Sequence, residues 1–198
     1  MSNKSDTSCQ GVSDKINQKA TVIEMEFESK VISREIQQML YDTKKTLGTA
    51  ESCTGGRIAE VIIAVPGASN YFKGSIIAYV NDVKEKLLGV EHAVIEEHTA
   101  VCEAVARQMA VGLCETLDCD YVISVTGVAG PGGGTPEVPV GTIWIGYGAK
   151  DDIRTFQLTE DHGRDLNLNI ATNKALRLFL EYLRENAPER QLASGVEK

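Results

Sequence analysis

At 198 residues, 42% hydrophobic and 24% charged, the chain has the length and apolar content of one globular domain with short extensions, which argues against wholesale disorder. Acidic residues outnumber basic ones 28 to 20, a net charge of −8, so a dedicated nucleic-acid binder is disfavoured: an acidic surface gains nothing from phosphate counterion release. No stretch reaches the roughly 20 apolar residues that span a bilayer, and the polar start MSNKSDTSCQGVSDKINQKA has neither the apolar core nor the cleavage pattern of a secretory signal.

Residues 1–25 read as a flexible polar extension with little to bury. From Lys30 to Thr46 the positions Val31, Ile32, Ile36, Met39, Leu40 and Leu47 recur at helical spacing, with Ser29 or Ser33 as a cap. A short strand, Leu47 to Ala50, leads into Glu51-Ser52-Cys53-Thr54-Gly55-Gly56, and Arg57 to Val65 reads as a buried helix stopped by Pro66-Gly67. The run Ser75 to Val80 is of β type, Asn81 is a candidate N-cap, and Asp82 to Leu88 is a short helix closed by Gly89. Thr99 to Leu117 carries Val101, Val105, Met109, Leu113 and Leu117 on one helical stripe. Tyr121 to Val125 is a strand, followed by a glycine- and proline-rich loop from Gly127 to Pro139. Val140 to Tyr147 and Ile153 to Leu158 read as neighbouring strands, Asp165 to Arg184 as the last long helix, and residues 187–198 as a polar tail. Early alternation of helix and strand with a late hairpin predicts an α/β fold, a three-layer mixed β-sheet flanked by helices, in one domain over residues 28–186.

The cysteines Cys9, Cys53, Cys102, Cys114 and Cys119 are odd in number and scattered, which argues against a disulfide framework and for a reducing cytoplasm. Cys114 and Cys119 are poorly spaced for zinc, and His92, His98 and His162 form no helical pair, so neither a metal nor a cofactor is expected.

Three segments carry candidate chemistry. In TAESCTGGRIAE, a strand, a Gly-Gly turn and a helix place backbone N–H groups around Ser52, Cys53, Thr54, Gly55 and Gly56, a setting for an oxyanion or phosphate. The same residues also suffice as a plain cap and tight turn. In SVTGVAGPGGGTPEVPVGT a flexible loop follows a strand, where open α/β sheets place ligands, yet it matches neither dinucleotide nor phosphate-loop spacing. In IIAYVNDVKEKLLGV, Tyr79 ends the predicted strand and Lys84 lies in the first turn of the next helix. A buried Lys84 would act as base toward a serine, whereas an exposed one beside Lys86 would be ordinary surface charge.

Together these segments resemble the C-terminal domain of CinA and its stand-alone relatives, the nicotinamide-nucleotide amidohydrolases. The matching runs are AESCTGG from Ala50 to Gly56, PGAS from Pro66 to Ser69, Tyr79 with Asn81, and Lys84 followed by LLGV. The helix start from Val101 to Ala106 and VTGVAGPGGGTPEVPVGT extend the likeness over about Ser33 to Leu183. The resemblance implies hydrolysis of the carboxamide of nicotinamide mononucleotide to nicotinate mononucleotide and ammonia, which returns a pyridine nucleotide to NAD synthesis. It implies Ser52 as nucleophile, Lys84 as general base and Tyr79 as a positioning and relay hydroxyl. Backbone amides from Cys53 to Gly56 and at Thr126-Gly127 would form the oxyanion hole. Gly130, Gly132, Gly133 and Gly134 would wrap the ribose phosphate, with Arg164 as the remaining basic partner. A homo-oligomer acting on a small pyridine nucleotide, without nucleic acid or membrane, is the expected state.

Two departures stand out. The family's Gly-Asp-Arg-x-x-Val-Arg run reads His162-Gly163-Arg164-Asp165-Leu166-Asn167-Leu168 here, losing the second arginine, and Cys102 stands where serine is common. Two other readings remain open: a non-catalytic nucleotide-binding or competence/damage-related interaction module of the same fold, and an enzyme using Cys53, a thiol at a helix N-terminus.

Overall fold

A computed structural model of the chain describes residues 7–41 and 43–186, and side chains from residue 19 onward. Helix α1 runs from Thr7 to Leu40 and is longer than its apolar spacing predicts. Residues 7–25, read from composition as extension, continue the helix seeded by the buried residues Ile32, Ile36 and Leu40. Adding a turn to an existing helix costs far less than nucleating one, and no proline precedes Pro66. Residues 1–6 and the tail 187–198 lie outside the described residues.

Strand β1 (Leu47–Glu51) is followed by α2 (Arg57–Ile63), a single 3-10 turn (Ala68–Asn70) and β2 (Phe72–Ile77). Helices α3 (Asn81–Leu88), α4 (His92–His98) and α5 (Glu103–Leu117) lead to β3 (Tyr121–Gly127), then β4 (Ile143–Ala149), β5 (Asp152–Leu158) and α6 (Arg164–Asn186). Three expectations shift. Strand β2 ends at Ile77, so Tyr79 lies beyond it. Val80, extended and without a side-chain cap, precedes α3, whose first residue is Asn81. The predicted helix from Thr99 is divided: Thr99 (φ 69°) ends α4, and α5 starts only at Glu103. Helix α4 leaves no apolar pattern because Ile95 is the one residue it buries.

The sheet order is β2-β1-β3-β4-β5, with β2, β1 and β3 parallel and β4 and β5 antiparallel additions. One apolar layer joins α1, α2 and α6 to Leu47, Ile123, Val125, Ile143 and Ile145. The other joins α3, α4 and α5 to Ala50, Val122 and Ile153. Val122 and Ile123 thus serve opposite layers, as the two-residue period of a strand requires. The result is the predicted α/β architecture, a mixed sheet between two helical layers. No helix among the described residues is long and apolar enough to cross a membrane.

Candidate active site

The carboxyl ends of β2, β1 and β3 lie side by side. The Ser52 amide donates to Val125 O at 2.9 Å, and the Ala78 amide to Glu51 O at 2.7 Å, so the peptide group joining Glu51 to Ser52 is clamped from both sides. Strand β1 feeds α2 in one helical layer, and β2 feeds α3 in the other. Adjacent parallel strands whose connections leave to opposite faces open a crevice between them. Ser52 and Lys84 meet in that crevice.

Lys84 is buried because of its place on α3: it and Leu88, four residues on, are the two buried positions of the helix and share its inner face. Lys86, by contrast, is exposed and paired with Asp82. Lys84 is only 2% exposed, and its ammonium donates to Ser52 Oγ at 3.0 Å and to Ala78 O at 2.7 Å. Burial pushes its pKa below the ordinary lysine value, opposed by the neighbouring Cys53 sulfur. A lysine held this way has one N–H fixed on a carbonyl and, once neutral, a lone pair facing a serine hydroxyl.

The turn before α2 is more occupied than its glycines suggest. Glu51 is fully buried, and its carboxylate accepts from the amides of Gly56 (2.9 Å), Ile58 (3.2 Å) and Ala59 (2.9 Å). The helix N-terminus is therefore filled by the protein's own anion. Gly55 and Arg57 amides go to Ser52 O and Thr54 O. Gly55 and Gly56 thus do not supply oxyanion donors. Among the described residues, the Cys53, Thr54 and Gly56 amides of this turn reach no backbone carbonyl; Gly56 is held by Glu51, which leaves Cys53 and Thr54 as the two amides without an oxygen acceptor. Gly56, at φ 99°, is where the chain needs a residue without Cβ to enter the helix.

Ser52 and Cys53 point apart, as successive residues of a tight turn do. Cys53 packs into the α1/α2/α6 layer, and burial pushes its thiol up to about 12, which removes the thiolate that a cysteine nucleophile needs. Thr54 is buried, with a hydroxyl that has no partner among the described residues. Tyr79 is 61% exposed and makes no hydrogen bond to Ser52 or Lys84, so the dyad forms without it.

Thr126 and Gly127 end β3 beside Ser52, and the glycine-rich loop begins there. The Thr126 hydroxyl is committed to Ala100 O at 2.7 Å. Gly130 is buried at φ 85°, where a Cβ would sit 2.5 Å from Val140 Cγ1, whereas Gly132, Gly133 and Gly134 are exposed. Arg164, the first residue of α6, donates to Gly130 O at 2.7 Å and so ties its charge to the loop. Asn167 is a site residue that no motif singles out: its buried amide donates to Ala129 O (3.0 Å) and Asp161 Oδ1 (2.8 Å) and accepts from His162 N (2.9 Å). Its one sequence signal is its place in the run that departs from the family pattern. Glu51 is likewise hidden in sequence, standing inside the motif as the end of a strand.

A family model described as the CinA C-terminal domain matches residues 29–183. The chain belongs to that family. Two CinA-like proteins illustrate the relationship, one from Leptospira borgpetersenii serovar Hardjo-bovis (strain L550), 50% identical over 121 residues, and one from Gloeobacter violaceus, 44% identical over 143. The aligned segments cover 61% and 71% of this chain but 29% and 34% of those relatives, so the chain spans about a third of the length of the curated relatives it matches. Among solved structures, the competence/damage inducible protein CihA from Agrobacterium tumefaciens superposes with a TM-score of 0.76 at 30% identity, covering 78% of this chain and 95% of that one. A CinA superfamily protein from Escherichia coli gives 0.74 at 31% identity, covering 77% and 89%. The CinA domain accounts for everything from the end of α1 to α6. The part of α1 before residue 29 lies outside the family match.

Proposed function

We propose that this CinA domain is an amidohydrolase that deamidates nicotinamide mononucleotide, with Ser52 as nucleophile and Lys84 as base. The observation that carries the reading is the buried 3.0 Å contact between Lys84 Nζ and Ser52 Oγ. Burying an amine with no carboxylate bonded to it costs stability. A module that only binds its ligand has no use for that cost.

Neutral Lys84 accepts the Ser52 proton as Oγ attacks the carboxamide carbon, while Ala78 O keeps the amine aimed. The oxyanion that develops is assigned to the Cys53 and Thr54 amides. Lys84 then returns the proton to the leaving nitrogen, the C–N bond breaks and ammonia departs, leaving an ester on Ser52. Water, deprotonated by Lys84, hydrolyses the ester to the carboxylic acid and regenerates the serine. The nucleotide phosphate lies at the far end, along the loop from Gly130 to Gly134 with Arg164 beside it. There its charge does not raise the Lys84 pKa.

The test is incubation of the purified chain with nicotinamide mononucleotide, measuring ammonia and the acid nucleotide. Equal amounts of both, in proportion to enzyme and time, are expected. Neither product above the enzyme-free rate would defeat the proposal.

A further inference from the structure

Helix α1 uses only one of its faces. Ile32, Ile36 and Leu40 enter the core, and Glu28 and Glu35 pair with Arg177 and Arg184 of α6. On the outer face Ala20, Ile23, Phe27 and Val31 follow at intervals of three, four and four residues. Eleven residues in three turns keep side chains in a straight stripe along a helix. Ile23 is 65% exposed, Phe27 70% and Val31 37%, three large apolar side chains in a row facing solvent. Single exposed apolar residues need no explanation, but an aligned set does. Ile23 and Phe27 also precede residue 29, so the shared CinA fold does not require them.

The charges beside the stripe indicate what covers it. Lys19 flanks it on one side and Glu24, five residues on, flanks it on the other; both are exposed. When two copies of a helix pack in parallel about a two-fold axis, a residue on one flank meets the residue five positions later on the opposite flank of its partner. Lys19 of each copy then meets Glu24 of the other, twice. An antiparallel pair would bring like flanks together. A lipid surface is a poorer match, because Lys19, Lys30 and Arg34 are outnumbered by Glu24, Glu26, Glu28 and Glu35 along this stretch.

We propose that the outer face of α1 is a homodimer interface, in which two copies of this chain pack their helices in parallel through Ile23, Phe27 and Val31, with reciprocal Lys19–Glu24 pairs at the flanks. The partner class is a second copy of the chain, and the surface is independent of the Ser52 site.

Sedimentation equilibrium of the full chain at micromolar concentration tests this. The wild type is expected as a dimer, and Phe27→Glu, a buried anchor lost from the centre of a small interface, is expected to weaken it by at least about tenfold. Far-UV circular dichroism reports whether that variant keeps its helices. The charge variants stay falsifiable whatever Phe27→Glu does to folding: Lys19→Glu should weaken the dimer, and Lys19→Glu combined with Glu24→Lys should restore it. A monomeric wild type, a dimer indifferent to both Phe27→Glu and Lys19→Glu, or a charge exchange that fails to restore association would overturn the proposal. So would a wild type that stays monomeric and co-sediments with vesicles of neutral and anionic phospholipid, which would assign the face to membrane.

Discussion

The two glycine-bearing turns at the end of the parallel strands are built in opposite ways. The turn after β1 is largely buried and anchored from inside: Glu51 fills the helix N-terminus, Ser52 is clamped to Val125, and Lys84 is fixed on Ala78. The loop after β3 is exposed over residues 131–137 and is secured at its base, through Arg164 on Gly130 O and Asn167 on Ala129 O. Reaction geometry tolerates errors of only a fraction of an ångström, whereas a loop that admits and releases a nucleotide has to open. In the proposed function the rigid turn carries the chemistry and the tethered loop carries the binding.

Substitutions separate the two. Ser52→Ala should fold normally and lose about 10⁴-fold or more in kcat, because removing a covalent nucleophile disables the whole unit. Cys53→Ala should keep most of the activity; the reverse pattern in a deamidation assay would move the reaction to the thiol. Glu51→Ala should cost about 3 kcal/mol in denaturant unfolding, since one buried and two part-buried amides lose their acceptor. Asn167→Ala should cost about 1–2 kcal/mol, and its distinguishing effect should be a raised KM with kcat changed much less. Equal losses in both would place Asn167 in the reaction itself. Gly132→Ala should be nearly silent in stability, within about 0.5 kcal/mol, because its Cβ meets no protein atom within 4 Å, and any kinetic effect should fall on KM. Gly130→Ala, at positive φ and against Val140, should not be silent.

The contrast also explains what could be read from sequence. The parallel strands, the late hairpin and α6 follow from apolar periodicity, whereas local pattern left Lys84 open between base and surface charge and the family resemblance implied its pairing with Ser52. Glu51 was not legible because a carboxylate before a Gly-Gly turn looks like solvent-facing charge until the fold closes around it. Oxyanion donors counted along the turn were for that reason too many. Asn167 bonds to residues up to 38 positions away, beyond any local pattern. The length of α1 was hidden by polar composition, since a helix extended from a buried segment needs no apolar face of its own to propagate.

The central claim is that a buried, partly neutral Lys84 activates Ser52, and the pH dependence of kcat/KM is its most direct test. Because burial lowers the Lys84 pKa, the rate should rise with pH through one ionisation below the ordinary lysine range, and reach a plateau once the amine is neutral. The same shift fixes the sign for stability. The unfolded chain holds the Lys84 proton at pH values where the folded chain has lost it, so stability rises with pH from the folded pKa towards the unfolded one. Lys84→Met should accordingly be more stable than wild type at neutral pH, with that advantage shrinking as pH approaches 10.5, and should be almost inactive. Lys84→Arg should be inactive at every pH, since guanidinium keeps its proton. Wild-type activity that rises through a single ionisation absent from both variants is the predicted result. A flat wild-type profile, or a Lys84→Arg variant that keeps both rate and profile, would contradict the account.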